Sequence, residues 1–181
     1  MWVILDRDGV INYDSDTYIK SPSEWRAIEG SLEAIAKLCQ VKIPVCVATN
    51  QSGLARGYFD KETLNAMHQK FLDSLSALGG HITEITYCPH GPNEGCRCRK
   101  PEPGMLENLS KKTGLPLSEA YFIGDTIKDI QAAQAVGATP ILVKTGKGCL
   151  TLEKHQDKLN NVATFDNLAA FVDHLLSAHD H

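Results

Sequence analysis

The stretch Met1-Trp2-Val3-Ile4-Leu5-Asp6-Arg7-Asp8-Gly9 decides how this chain folds. An apolar run with two β-branched residues breaks at once into acidic and turn residues. Such a run, ended by turn residues, fits a strand buried on both faces of a parallel sheet. Ligand crevices of open α/β sheets lie beyond the carboxyl ends of their strands. Asp6 and Asp8 are therefore expected where such folds do chemistry. Two carboxylates so close repel unless a cation holds them charged, and hard Mg²⁺ prefers oxygen ligands. Gly9 frees the backbone to turn tightly beside the pair. Side chains alternate along a strand, so Arg7 is expected to point away from Asp6 and stays outside the site.

Outward from this stretch, strand-like and helix-like segments alternate. Residues 13–28 read as a polar surface loop, and Gly30-Ser31 opens a helix carrying Leu32, Ile35, Ala36 and Cys39. Residues 43–48 form a second strand ending in Thr49-Asn50-Gln51-Ser52-Gly53. Asp60 caps a helix whose apolar stripe, Leu64 to Leu78, includes His68 as a core or boundary histidine. Strands follow at 82–87, 120–123, 140–143 and 162–165, and helices at 103–113, 127–136, 152–159 and, capped by Asp166, to about 176. This alternation predicts an α/β fold, a doubly wound parallel sheet, in a single domain over residues 1–181. The intervals between strands are consumed by single loops and helices, leaving no room for a large inserted cap.

Hydrophobic content of 43%, charged content of 22% and a net charge of −4 suit a soluble globular enzyme and disfavour a general nucleic-acid binder. No apolar run reaches a membrane span and the first residues lack a secretory signal, so the expected compartment is the cytoplasm and the expected state a monomer. Three of six cysteines crowd between Cys88 and Cys98. The set Cys88, His90, Cys96, Cys98 offers three thiolates and one imidazole, the donors of a closed, structural Zn²⁺ site. The loop has glycines and prolines but little apolar content, so a metal clamp at 88–98 would supply its order and place Arg99 and Lys100. Cys39 and Cys46 read as small core hydrophobes.

Four strand ends carry reactive residue types: Asp6 and Asp8; Thr49 and Asn50; Arg99 and Lys100; and Asp125. In a parallel sheet these share one edge. Acidic nucleophile, hydroxyl and amide donors, a fixed cation and a further carboxylate are the equipment of phosphoryl transfer.

Taken in order, Asp6-Arg7-Asp8-Gly9, Thr49-Asn50, Lys100-Pro101 and Gly124-Asp125 resemble the four motifs of the haloacid dehalogenase (HAD) phosphatase superfamily. The resemblance implies a HAD-like Rossmannoid fold and a covalent mechanism. Asp6 would be the nucleophile and Asp8 the general acid and base. Thr49 and Lys100 would hold the phosphoryl oxygens, with Arg99 beside them. Mg²⁺ would sit on Asp6, the backbone carbonyl of Asp8, and Asp125. Asp129 either orients a metal-bound water or is a solvated helix residue. A receiver domain is rejected, because its phosphorylated Asp follows the third strand, where this chain has Cys88.

The zinc loop beside Asp-Arg-Asp-Gly resembles two groups within the superfamily. One acts on histidinol phosphate, the other on the 7-phosphate of D-glycero-D-manno-heptose 1,7-bisphosphate in nucleotide-heptose and lipopolysaccharide-core synthesis. The gap between His90 and Cys96 resembles the first group. Residues 50–59, Asp129-Ile130-Gln131-Ala132-Ala133 and Lys144-Thr145-Gly146 resemble the second. Thr126 departs from it, standing where some members carry lysine. The basic residues tip the expectation to the sugar bisphosphate, with Asn50, Gln51, Ser52, Arg56, Asp14 and Tyr18 as its contacts. Histidinol phosphate and a phosphorylated nucleic-acid end are the alternatives.

Overall fold

The computed structural model describes residues 1–179. Six parallel strands, β1 (Trp2–Leu5), β2 (Val45–Asn50), β3 (Glu84–Cys88), β4 (Ala120–Gly124), β5 (Thr139–Val143) and β6 (Ala163–Phe165), form one sheet in the order β3-β2-β1-β4-β5-β6. This is the doubly wound order, with the chain reversing direction at β1. β1 is flanked by β2 and β4 and every one of its side chains is fully buried.

The period of two sorts the core into two layers. Val3 and Leu5 of β1 with Val45 and Val47 of β2 face α1 (Ser31–Gln40), α2 (Lys61–Ser76) and α6 (Leu168–His179). Trp2, Ile4, Cys46 and Ala48 face the other way, against Met105, Leu106 and Leu109 of α3 (Gly104–Thr113) and Ala132 and Ala133 of α4 (Ile127–Ala135). Apolar burial on both faces explains why β1 reads as a continuous hydrophobic run.

Several boundaries differ from expectation. Thr49 and Asn50 still pair with Tyr87 and Cys88, so they end β2 instead of opening its turn, and Pro44 lies just before the strand. The helix expected at 152–159 is instead α5 (Gly148–Lys154), with a 3-10 turn at Gln156–Lys158. Two contacts set its early start: the Lys147 N–H donates to Asp125 Oδ2 at 2.8 Å, and Thr151 Oγ1 donates to the Asp125 carbonyl at 2.7 Å. Asp166 does not cap α6; the Asn167 side chain accepts from the Ala170 N–H at 2.8 Å, while Asp166 is exposed beside Lys144. Asp60 does cap α2, accepting from the Thr63 N–H at 2.8 Å. Residues 13–28 are less of a surface loop than their polarity implies, because Ile19, Trp25 and Ile28 anchor them in the core. Among the described residues no helix is long and apolar enough to cross a membrane.

Candidate active site

The carboxyl ends of β1, β2 and β4 open into a cleft of about 270 Å³. Its floor is a buried ionic cluster. Lys100, 2% exposed, places Nζ 3.0 Å from Asp6 Oδ1, 2.7 Å from Asp129 Oδ1 and 3.1 Å from the Ala48 carbonyl. Oxygens of Asp6, Asp125 and Asp129 all lie within 4.8 Å of one another. Asp129 is therefore not a solvated helix residue. It is 1% exposed, and its Oδ2 closes a capping box with Thr126 at the start of α4.

Three ionised carboxylates against one ammonium would leave a charge of −2 in a buried site. Burial first, then the charge of Asp129, pushes the Asp6 carboxyl well above the usual carboxylate range, with Lys100 opposing. Burial and Asp129 push Asp125 up to about 7, against the Lys147 N–H. Burial alone would lower the Lys100 ammonium, but Asp129 and Asp6 outweigh it and raise it. Asp125 Oδ1 is buried without a hydrogen-bond partner among the described residues. The clustered carboxylates would suit a divalent cation, and as hard oxygen donors they fit Mg²⁺. The chain makes room for Asp125 with glycine: a Cβ at Gly9 (φ +88°) or Gly146 (φ +57°) would collide with its carboxylate.

Asp8 is placed differently. Its carboxylate lies outside the acidic trio, bonded to the guanidinium of Arg7, to Asn12 and, at 3.3 Å, to Gln51. Burial would raise its carboxyl, but the Arg7 charge and these bonds hold it below the usual range.

The remaining expected residues divide into two groups. Thr49, Asn50, Gln51, Ser52, Asp14, Tyr18 and Arg99 all line the cleft. Asn50 and Gln51, however, are engaged with the protein. Asn50 donates to the Lys100 carbonyl (3.3 Å) and accepts from the Lys100 N–H (3.1 Å), and Gln51 donates to Thr49 Oγ1 at 2.9 Å. Arg56 is exposed and does not line the cleft; its guanidinium stacks over the Tyr18 ring at 5.7 Å.

Two cleft lysines were missed from the sequence. Lys147 follows β5, at the edge that holds every other reactive strand end, so position alone offered the signal. Lys128 sits in the first turn of α4 and carried no motif. Both line the cleft with Arg99, and Lys147 Nζ lies 3.8 Å from Asp14 Oδ2; burial first, then the charges of Arg99 and Lys147, lowers the Lys128 ammonium.

Cys88, His90, Cys96 and Cys98 converge, with one ligand atom from each within 4.8 Å of the others. Cys88 ends β3 and is buried against α3, and His90 Nδ1 lies 3.5 Å from Cys88 Sγ and 3.3 Å from Cys98 Sγ. Three thiols and one imidazole could hold a metal of the zinc type. The cluster bears directly on the site, because Arg99 Nη1 donates to the His90 carbonyl at 3.3 Å and Lys100 is the next residue.

A doubly wound sheet with these residues at one edge defines a HAD-like hydrolase, and residues 97–171 match the HAD-hydrolase-like family model. A curated relative from Pseudomonas aeruginosa, 52% identical over 96% of this chain and 97% of its own length, is a D-glycero-β-D-manno-heptose-1,7-bisphosphate 7-phosphatase. A Neisseria meningitidis relative of the same name is 45% identical over 96% of this chain and 94% of its own. The solved D,D-heptose 1,7-bisphosphate phosphatase of B. bronchiseptica, complexed with magnesium and phosphate, superposes with a TM-score of 0.94. It is 48% identical and covers 98% of this chain and 99% of its own. The chain belongs to the D,D-heptose 1,7-bisphosphate phosphatase family of HAD-like hydrolases.

Proposed function

We propose that this chain removes the 7-phosphate of D-glycero-D-manno-heptose 1,7-bisphosphate, with Asp6 as nucleophile. The observation that carries the reading is a cleft lined both by the buried acid–lysine cluster and by the further cations Arg99, Lys128 and Lys147. The cluster suits chemistry on one phosphate, and the further cations suit the charge of a second. Charge neutralisation and alignment are what a phosphate dianion needs before a carboxylate can attack it.

In this reading Asp6, the backbone carbonyl of Asp8, and Asp125 hold Mg²⁺, which supplies the positive charge that keeps Asp6 ionised and offsets the phosphoryl oxygens. Asp129 completes the acidic trio and orients Lys100. Asp6 attacks phosphorus while Asp8 gives a proton to the leaving sugar oxygen, producing an aspartyl phosphate and the free hydroxyl. Asp8 then takes a proton from water as the water oxygen attacks phosphorus, releasing phosphate and restoring Asp6. Thr49 and Lys100 hold the phosphoryl oxygens through both steps. Asn50 fixes the Lys100 backbone, and Asp14, Ser52 and Tyr18 face the sugar.

Cys88, His90, Cys96 and Cys98 would hold Zn²⁺, which would fix the loop that carries Arg99 and Lys100. Reduced thiolates fit a cytoplasmic enzyme. Residues 1–181 are read as one domain and the monomer as its working unit.

The test is kinetic. A charge-assisted contact to the distal phosphate is worth about 1.5–3 kcal/mol, roughly 10- to 150-fold in kcat/KM. Arg99→Ala and Lys128→Ala should each penalise the 1,7-bisphosphate by about tenfold or more, and the 7-monophosphate much less. Equal losses on both substrates would move these cations to the scissile phosphate or the fold. Faster release from histidinol phosphate by the wild type would overturn the substrate.

A further inference from the structure

The residue between the two site aspartates is a buried arginine with no part in the reaction described above. Arg7 is fully buried. Its Nε donates to Asp8 Oδ1 at 2.8 Å, and Nη2 lies 2.8 Å from the same oxygen, off the line of a directed bond and without another partner. Asn12 Nδ2 donates to that oxygen too, at 2.9 Å. On the far side, Arg7 Nη1 is 3.3 Å from His68 Nε2 on α2. A guanidinium has only donors. His68 must therefore present a lone pair at Nε2 and carry its single proton on Nδ1.

Burying a guanidinium costs stability, and core packing alone would be served as well by an apolar side chain. The geometry supplies a reason for the charge. The close donors all fall on Asp8 Oδ1, while among the described residues Oδ2 receives the 3.3 Å contact from Gln51 alone, on a side chain that lines the cleft and is 24% exposed. We propose that Arg7, backed by neutral His68, is a positioning residue that occupies Asp8 Oδ1 and so presents Oδ2 as the oxygen that gives and takes the proton. The inference rests on the reading of Asp8 as general acid. In the first step the proton leaves Asp8 Oδ2 for the sugar oxygen as its bond to phosphorus breaks and the Asp6–phosphorus bond forms. In the second, a water proton arrives on Oδ2 as the water oxygen displaces Asp6 from phosphorus.

Leaving groups separate this role from a structural one. A sugar alkoxide needs the proton, whereas p-nitrophenolate leaves without it. kcat/KM reports the first step, so it should fall selectively for the alkyl ester. For Arg7→Met the expected loss is about 10- to 100-fold on the sugar phosphate and less than about threefold on p-nitrophenyl phosphate. Arg7→Lys, a cation able to aim one of its donors at Oδ1, should recover part of the difference. His68→Leu removes the acceptor behind Arg7 and should show the same selectivity more weakly, with His68→Gln closer to wild type. His68→Leu decides the matter if Arg7→Met does not fold. Alkyl and aryl losses of equal size in these variants would overturn the proposal while Asp8→Asn stays selective. If Asp8→Asn is itself unselective, the reading of Asp8 as acid fails first.

Discussion

Replacing Asp125 by Asn should make the metal-free protein more stable while removing its activity. Asp125 is 1% exposed, and burial with the charge of Asp129 pushes its carboxyl from 3.8 to about 7. Between those values the native state binds a proton that the unfolded chain does not, so stability falls as pH rises through the window. At about 1.4 kcal/mol per pH unit the penalty is about 2 kcal/mol at pH 5 and up to about 4 kcal/mol above pH 7. Asn is neutral throughout and nearly isosteric. Its carbonyl can accept the Lys147 N–H, and its amide would stand where Asp125 Oδ1 now has no partner, beside Asp6 and Asp129. In EDTA at about pH 7.5 the variant should gain roughly 2–4 kcal/mol, or about 5–15 °C in Tm for a chain of this length. The gain should shrink at pH 5. Added Mg²⁺ should stabilise the wild type, more at pH 7.5 than at pH 5, and the variant little. Urea unfolding at both pH values, with and without Mg²⁺, reads each quantity. A variant less stable than wild type in EDTA at pH 7.5, or an advantage independent of pH, would refute the argument that the site is held against its own charge.

Asp6→Asn should abolish turnover with its circular dichroism spectrum unchanged, and Asp8→Asn given p-nitrophenyl phosphate should accumulate phosphorylated Asp6, visible by acid-quenched mass spectrometry; near-normal turnover by Asp6→Asn would remove the covalent step. Purified protein should hold about one Zn²⁺ per chain, and Cys96→Ser should lower Tm and, through Arg99 and Lys100, activity; metal analysis without zinc would dispose of the clamp. Burial and the neighbouring Arg7 charge lower His68 from 6.5 to about 4. The unfolded chain takes up that proton first, so this contribution is complete above about pH 6.5 and is lost as pH falls towards 4. Relative to His68→Gln, wild type should lose about 3 kcal/mol over that window, and parallel pH curves would contradict it.

The chain by itself determined the sheet and the edge at which the site lies. Uninterrupted apolar runs ending in Asp6-Arg7-Asp8-Gly9, Thr49-Asn50 and Gly124-Asp125 can be buried on both faces only as central parallel strands, so their polar ends share one edge. The spacing of Cys88, His90, Cys96 and Cys98 was equally legible, because a loop without a core has few other sources of order. Tertiary structure decided how the polar residues pair. Asp129 reads from the sequence equally as the orienter of a metal-bound water or as a solvated helix carboxylate, and only the contact with Lys100, distant in sequence, shows it buried in the site. Strand alternation sets Arg7 outside the site if the strand continues, but β1 ends at Leu5 and Arg7 bonds Asp8. What else it meets, His68 of α2, depends on helix packing that no local pattern encodes. The same holds for Arg56, which stacks on Tyr18, and for Lys128 and Lys147, whose convergence with Arg99 is set by where α4 and the loop after β5 emerge. Local sequence carries burial and period, which act between near neighbours. Which charge neutralises which depends on distances of a few ångströms between separate elements, and those exist only once the sheet and helices have packed.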